Sequence, residues 1–228
     1  MPSKNHKQPR DTKESRIAVF IDDGNMWSSY KSMGNVLEYS KLKKFLEKKF
    51  KGTISPEKVF FYKAYPDEDT REYSIDPQQK FMTFLKRGLG FTTRTKKLKT
   101  ILLRDKNGDL IHDKKTGDPT TIEKGNFDVE IAIDALHYSN TYDILILFSG
   151  DSDFLPLIRF LRNSGKKAYV FSTKKSVSIE LKTGADGYFD LAHCMEIHGA
   201  KLLHRSEKYQ KINGSQRKNS PTENGQAA

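Results

Sequence analysis

The chain has 228 residues, a formal net charge of +11 at pH 7, 36% hydrophobic residues and a single cysteine. That length supports one sizeable α/β domain with its own core, and no stretch approaches the roughly 20 consecutive apolar residues of a membrane span. A lone Cys194 excludes an intramolecular disulfide and a cysteine-based zinc cluster. The N-terminal "MPSKNHKQPRDTKES" lacks the apolar stretch of a secretory signal, so a cytoplasmic protein is expected.

Residues 1–15 read as a disordered basic segment. Ile17 to Ile21 is a short continuous apolar run, the form of a strand covered on both faces. "DDGN" at 22–25 breaks it, and a helical pattern follows from Met26 to Lys31. Leu42, Phe45, Leu46 and Phe50 have helical spacing, with Ser40 as the expected N-cap. After Pro56 a second strand is predicted from Val59 to Tyr65. Residues 76–88 predict a helix with Asp76 capping, Pro77 at its first position and Gly88 ending it. Phe91 to Leu98 reads as a third strand. The polar stretch 99–124, with Asn107-Gly108 as a turn signal, reads as an inserted hairpin or loop.

An apolar helix is expected from Asn126 to about Tyr138, a buried strand from Tyr142 to Phe148 and a helix from Phe154 to Arg162. A strand at 168–172, a helix at 177–182 and a short strand at 187–191 complete the pattern. The domain is thus placed at 16–195. Residues 196–228 form a basic extension in which a further helix is expected, with a disordered end. Alternating strands and helices predict a three-layer α/β/α sandwich around a mostly parallel sheet.

In such sheets the working site lies at the carboxyl ends of the strands. Asp22 and Asp23 follow the first strand. Asp151 and Asp153 follow the strand that ends at Phe148, after Ser149-Gly150. Asp128 opens the helix leading down into that strand, so three separate segments aim acids at one edge. Clustered carboxylates raise one another's pKa unless a cation sits among them, and Mg²⁺ or Mn²⁺ is the cation that prefers oxygen donors. Asp134 lies six residues further on, about 9 Å lower and rotated by about 240°. It is expected to hold a backbone group, a basic residue or a water. Each acid also has a plainer reading. Asp151 suits an N-cap, Asp153 and Asp128 suit helix dipoles, and Asp22-Asp23-Gly24 suits a turn.

Four stretches in order resemble the NYN family, a PIN-like ribonuclease fold that includes LabA-like bacterial proteins. They are "AVFIDDGNMW", "EKGNFDVEIAIDAL", "LFSGDSDFLPLIRFLRNSGKKAYVF" and "SVSIELKTGADGYFDL". The resemblance implies a Mg²⁺- or Mn²⁺-dependent ribonuclease. Asp22, Asp128, Asp151 and Asp153 would form its metal pocket. Asn25 would orient Asp22 or a metal-bound water, Ser149 would hydrogen-bond within the pocket, and Lys124 would approach the phosphate. Two residues, Asn126 and Phe127, separate Gly125 from Asp128, where one is usual in the family.

The run 94–104 carries Arg94, Lys96, Lys97, Lys99 and Arg104 with no acid, a surface suited to phosphate backbones. RNA is therefore the expected partner, and no membrane contact is expected. The sequence does not fix the oligomeric state, and a homodimer is among the states it allows. Trp27, Tyr30 and Tyr65 near the strand ends could stack on bases, although core packing is the favoured reading. The rival to a nuclease is a catalytically silent PIN-like module that binds RNA or a partner. A dehalogenase-like phosphatase fits poorly, because Gly24 stands where its second Asp would follow Asp22.

Overall fold

The computed structural model describes residues 14–65 and 76–202. The outer parts of both expected disordered segments, 1–13 and 203–228, lie outside the described residues. In chain order the elements are β1 (Ser15–Asp22), α1 (Asp23–Met33), β2 (Asn35–Leu37), α2 (Tyr39–Phe50), β3 (Gly52–Thr53), β4 (Val59–Tyr65) and α3 (Asp76–Thr83). A π-helical turn carries α3 on to Gly88. Then come β5 (Thr92–Lys97), β6 (Lys99–Leu102), β7 (Thr121–Lys124), α4 (Asp128–His137), β8 (Ile144–Phe148), α5 (Leu155–Asn163), β9 (Lys167–Ser172), α6 (Ile179–Gly184), β10 (Gly187–Asp190) and β11 (His198–Lys201).

The central sheet runs β10-β9-β8-β1-β4-β5, with β3 paired to the start of β1, and every pairing in it is parallel. Side chains alternate across it, as the period of a strand requires. Ile17, Val19 and Ile21 pack with Met26 and Tyr30 of α1 and Leu42 and Leu46 of α2. Ala18 and Phe20 pack with Ile131 and Ala135 of α4, Ile158 and Leu161 of α5 and Leu181 of α6. This is the three-layer α/β/α sandwich, and it explains why β1 and β8 read as unbroken apolar runs. Neighbouring strands also stack rings, Phe20 on Phe60 at 4.8 Å and Phe148 on Phe171 at 4.9 Å. Each fully buried large side chain contributes about 1.5–3 kcal/mol.

The order of the strands positions the site. From β1 the chain winds outward through β4 and β5, then returns to β8 on the other side of β1 and winds outward through β9 and β10. The winding direction reverses between β1 and β8, and a crevice opens there at their carboxyl ends.

Two expectations are corrected. Helix α2 begins at Tyr39 with Glu38 in the cap position, and the Ser40 hydroxyl donates to the Glu38 carboxylate at 2.6 Å instead of capping. After residue 195 the described residues hold only a three-residue 3-10 turn, Met195–Ile197, and no longer helix; β11 then pairs antiparallel with β2, tying residues 198–201 to the body. The insertion is an antiparallel β6–β7 ladder, Lys99 opposite Lys124 and Leu102 opposite Thr121. Beyond that ladder it folds through two turns, with bridges from Arg104 to Leu110 and from His112 to Pro119. The Asn107-Gly108 signal lies in the first turn, where the Asp105 carboxylate accepts from the Asn107 and Asp109 amides at 2.8 and 3.0 Å. No helix among the described residues is long and apolar enough to cross a membrane.

Candidate metal centre

Oxygens of Asp128, Asp151 and Asp153 all lie within 4.8 Å of one another at the crevice. Three elements bring them there. Asp128 is the first residue of α4, and the Asn126 side-chain amide donates to it at 2.6 Å. Asp151 caps a 3-10 turn over Ser152–Phe154, accepting from the Asp153 amide at 3.0 Å. Asp153 sits exposed within that turn. The N-cap role and the cluster are therefore compatible, because one Asp151 oxygen serves the cap while the residue still joins the trio.

Asp22 ends β1 beside this trio and is 8% exposed. Its two oxygens are both engaged, Oδ1 by the Asn25 amide at 3.2 Å and Oδ2 by the Ser149 hydroxyl at 3.1 Å. Burial pushes its carboxyl up to about 6, the two hydrogen bonds oppose that rise, and the charges of Asp128 and Asp23 add to it. Burial also raises Asp128, reinforced by Asp151 and Asp153 and opposed by Asn126 and Lys96. Burial is the main cause of both shifts, and the neighbouring acids add to it.

The Ser149-Gly150-Asp151 corner is built from both sides. The Asn25 side-chain oxygen accepts from the Gly150 amide at 2.8 Å, lacing the first turn of α1 to the end of β8. The chain leaving β9 crosses directly over Gly150. A Cβ on that residue would lie 2.1 Å from the Ser176 carbonyl oxygen, so only glycine fits. Ser178 donates its amide to the Gly150 carbonyl at 2.8 Å.

The other expected residues separate into groups. Asp134 accepts from the Tyr62 hydroxyl at 2.9 Å and from Arg94 Nε at 3.1 Å, so its basic partner is Arg94. Lys96 pairs with Glu130 at 2.6 Å and lies 4.4 Å from the Phe127 ring. The run 94–104 is therefore not one continuous basic surface, because its first two cations are satisfied by acids of α4. Arg104 donates to the Gly108 carbonyl at 2.7 Å across the insertion's first turn. Lys97 is exposed on β5; Lys99 and Lys124 are exposed and face each other at the base of the insertion.

Sequence reasoning missed Lys63, which pairs with Asp23 and so neutralises the second acid after β1. It also missed Asn126 as the partner of Asp128. Asn126 directly precedes the helix, and its short amide was the available signal. Tyr30 is buried and hydrogen-bonds the Tyr39 hydroxyl, as core packing predicts. Trp27 departs from that expectation. It is 49% exposed, on the α1 stripe it shares with Asp23 and Lys31, and the Lys31 ammonium lies 5.4 Å from its ring centre.

Fold and site together define an α/β/α protein with a carboxylate cluster at the point where its sheet reverses direction. The chain belongs to the NYN domain family, a PIN-like nuclease family, which it matches over residues 16–192. It is 30% identical over 177 residues to the "Low amplitude and bright protein LabA" of Synechococcus elongatus, covering 78% of this chain and 84% of that protein. It is 31% identical over 106 residues to the "Uncharacterized protein MJ0482" of Methanocaldococcus jannaschii, covering 45% of this chain and 44% of that one. A crystal structure of a protein of unknown function from Vibrio parahaemolyticus, VPA0982, has the same fold. It superposes with a TM-score of 0.56 at 20% identity, over 87% of this chain and all of that one.

Proposed function

We propose that this protein is a cytoplasmic Mg²⁺- or Mn²⁺-dependent ribonuclease that cleaves RNA phosphodiester bonds internally, with Asp22, Asp128, Asp151 and Asp153 holding the ion. The observation that carries this reading is the meeting of three carboxylates within 4.8 Å at the reversal point of the sheet. The donor set fits such an ion: it is all oxygen, and three of its carboxylates stand close enough to share one cation. When bound, the ion supplies charge neutralisation at the phosphate and a water acidified for attack on phosphorus.

The chain's own groups hold the reacting atoms in place. The Asn25 amide and the Ser149 hydroxyl fix Asp22, and the Asn25 side chain fixes the Gly150 amide beside Asp151. Asn126 holds Asp128. Exposed Lys124, four residues before Asp128, meets the phosphate backbone from the base of the insertion. Asp134 works at a distance by fastening α4 to β4 and β5. A module that only bound RNA would gain nothing from turning three carboxylates toward phosphate.

The test is cleavage of diverse single-stranded and structured RNAs, with and without Mn²⁺ or Mg²⁺, by the native chain beside Asp151→Asn. Divalent-dependent cleavage that the substitution abolishes is the expected result. Inactivity of the native chain on every RNA with Mn²⁺, or equal cleavage by the variant, would overturn the reading.

A further inference from the structure

The cations along the carboxyl edge are used in two ways. On the β5 flank, Arg94 and Lys96 are held by Asp134 and Glu130. On the opposite flank β9 ends at Ser172 and the chain makes a tight turn over Thr173–Ser176. The Ser176 and Val177 amides both donate to the Thr173 carbonyl at 3.0 Å. Lys174 and Lys175 fill the two central positions of that turn. Both are exposed, and neither pairs with a carboxylate among the described residues.

This turn is held firmly. Thr173 Oγ1 donates to Ser176 Oγ at 3.0 Å, and the Thr173 amide donates to Ser29 Oγ of α1 at 3.4 Å. Ser29, Ser172 and Thr173 are all buried. The turn also rests on Gly150, with the Ser176 carbonyl in the space a Cβ would occupy and the Ser178 amide bonded to the Gly150 carbonyl. Two unpaired lysines are therefore fixed to the same backbone that presents Asp151, one residue further on.

A polyanion approaching three carboxylates is repelled unless cations beside them offset the charge, and lysine serves phosphate as a compact point charge. We propose that the Thr173–Ser176 turn is a phosphate-binding corner, in which Lys174 and Lys175 hold the backbone of a single RNA strand on the β9 flank of the carboxylates. With Lys124 on the far flank, the strand lies across the carboxyl edge and passes the acids between its two anchors. These are backbone contacts, which position the strand without reading its bases. The inference rests on the ribonuclease reading for its ligand, and the experiment separates the two.

The experiment uses the full chain and measures fluorescence anisotropy of a labelled single-stranded RNA over a salt series in Ca²⁺. It compares the native protein with Lys174→Ala/Lys175→Ala and with a control of equal charge, Lys44→Ala/Lys48→Ala. Lys44 and Lys48 are exposed on α2, which leads to β3 at the amino edge of the sheet. The turn variant is expected to weaken binding and to flatten the plot of log K against log salt by about 1.4, from about 0.7 per phosphate contact on a single strand. The control is expected to leave the slope unchanged. An unchanged slope in the turn variant, or an equal change in the control, overturns the proposal even if the RNA is cleaved. RNA bound with the predicted slope change but never cleaved would overturn the nuclease reading and leave the corner standing. A native chain that binds no RNA at any salt, or a turn that instead captures an acidic protein alone, overturns the corner as an RNA site.

Discussion

The two flanks of the carboxyl edge carry similar charged residues to opposite ends. On the β5 flank Arg94 and Lys96 are two residues apart on a strand, so they face the same side, and that side is covered by α4. Glu130 and Asp134 stand four apart on the helix and meet them one to one. On the β8–β9 side Asp151 and Asp153 meet Asp128 within 4.8 Å, while Lys174 and Lys175 pair with no acid among the described residues. Charge that is satisfied inside the fold fastens a helix; charge left unsatisfied at an edge is available to a ligand. A count of lysines and arginines along the chain cannot tell these apart, because the pairing depends on which helix covers which strand.

The sharpest way to break this comparison is at Gly150, where the acid cluster and the lysine turn share a backbone. Gly150→Ala would place a Cβ 2.1 Å from the Ser176 oxygen and 2.8 Å from Val177 Cα, both backbone atoms that cannot swing aside. A loss of about 3 kcal/mol is expected, with RNA binding and metal response lost together. Gly125→Ala is the matched control on the other flank. Its Cβ would meet the Leu98 side chain at 2.8 Å and Ala64 Cβ at 3.2 Å, so the cost is expected to be about 1 kcal/mol. Chemical denaturation of the two variants side by side checks this. Equal losses would mean that the Gly150 contact is no tighter a constraint than an ordinary packing contact.

The next effect is a gain. Asp22 has a folded pKa of about 6 against an ordinary 3.8, chiefly because its charged form is buried. The folded state then binds a proton more tightly than the unfolded chain, so stability falls as pH rises from about 4 to about 6 and stays lowered above that. Asp22→Asn keeps a capping side chain but removes the charge. In EDTA the variant is expected to be more stable than the native chain at pH 7.5, by about 2–3 kcal/mol at 1.36 kcal/mol per unit. The advantage should fade as pH is lowered through 6 toward 4. Added Mn²⁺ should raise the Tm of the native protein and not that of the variant. A gain that persists undiminished at pH 4 would show that the carboxylate's charge is not its source.

Much of the site could be read from residues alone, for a physical reason. Apolar runs followed by Asp or by Ser-Gly-Asp mark strand ends, parallel strands share one edge, and a crossover helix must begin at that edge. Asp22, Asp128 and Asp151 follow from those three statements. What stayed hidden depends on register between distant segments. The Asn25 oxygen on the Gly150 amide, the Ser29 hydroxyl under the Thr173 turn and the β2–β11 pairing all join positions far apart in the chain, and strands of three and four residues carry no periodicity to find. The division of the basic run was closer to legible. Alternation placed Arg94 and Lys96 on one face, and Glu130 and Asp134 had the spacing to match, but nothing local said that α4 covers β5.

The smallest effect tests that division directly. Side chains of Arg94 and Asp134 are 43% and 16% exposed, so the pair is only partly dry and its coupling is expected to be about 0.5–1 kcal/mol. A double-mutant cycle of Arg94→Ala and Asp134→Ala, read by urea denaturation, measures it. The single substitutions are not expected to be equal. Asp134→Ala also removes the acceptor of the Tyr62 hydroxyl and should cost more than Arg94→Ala, which leaves that bond in place. The decisive number is the salt dependence of RNA binding. Arg94→Ala and Lys96→Ala should leave it unchanged, because each cation already has its anion within the protein. If either flattens the slope as far as loss of the turn lysines does, these ion pairs open to admit phosphate, and the two flanks differ in degree and not in kind.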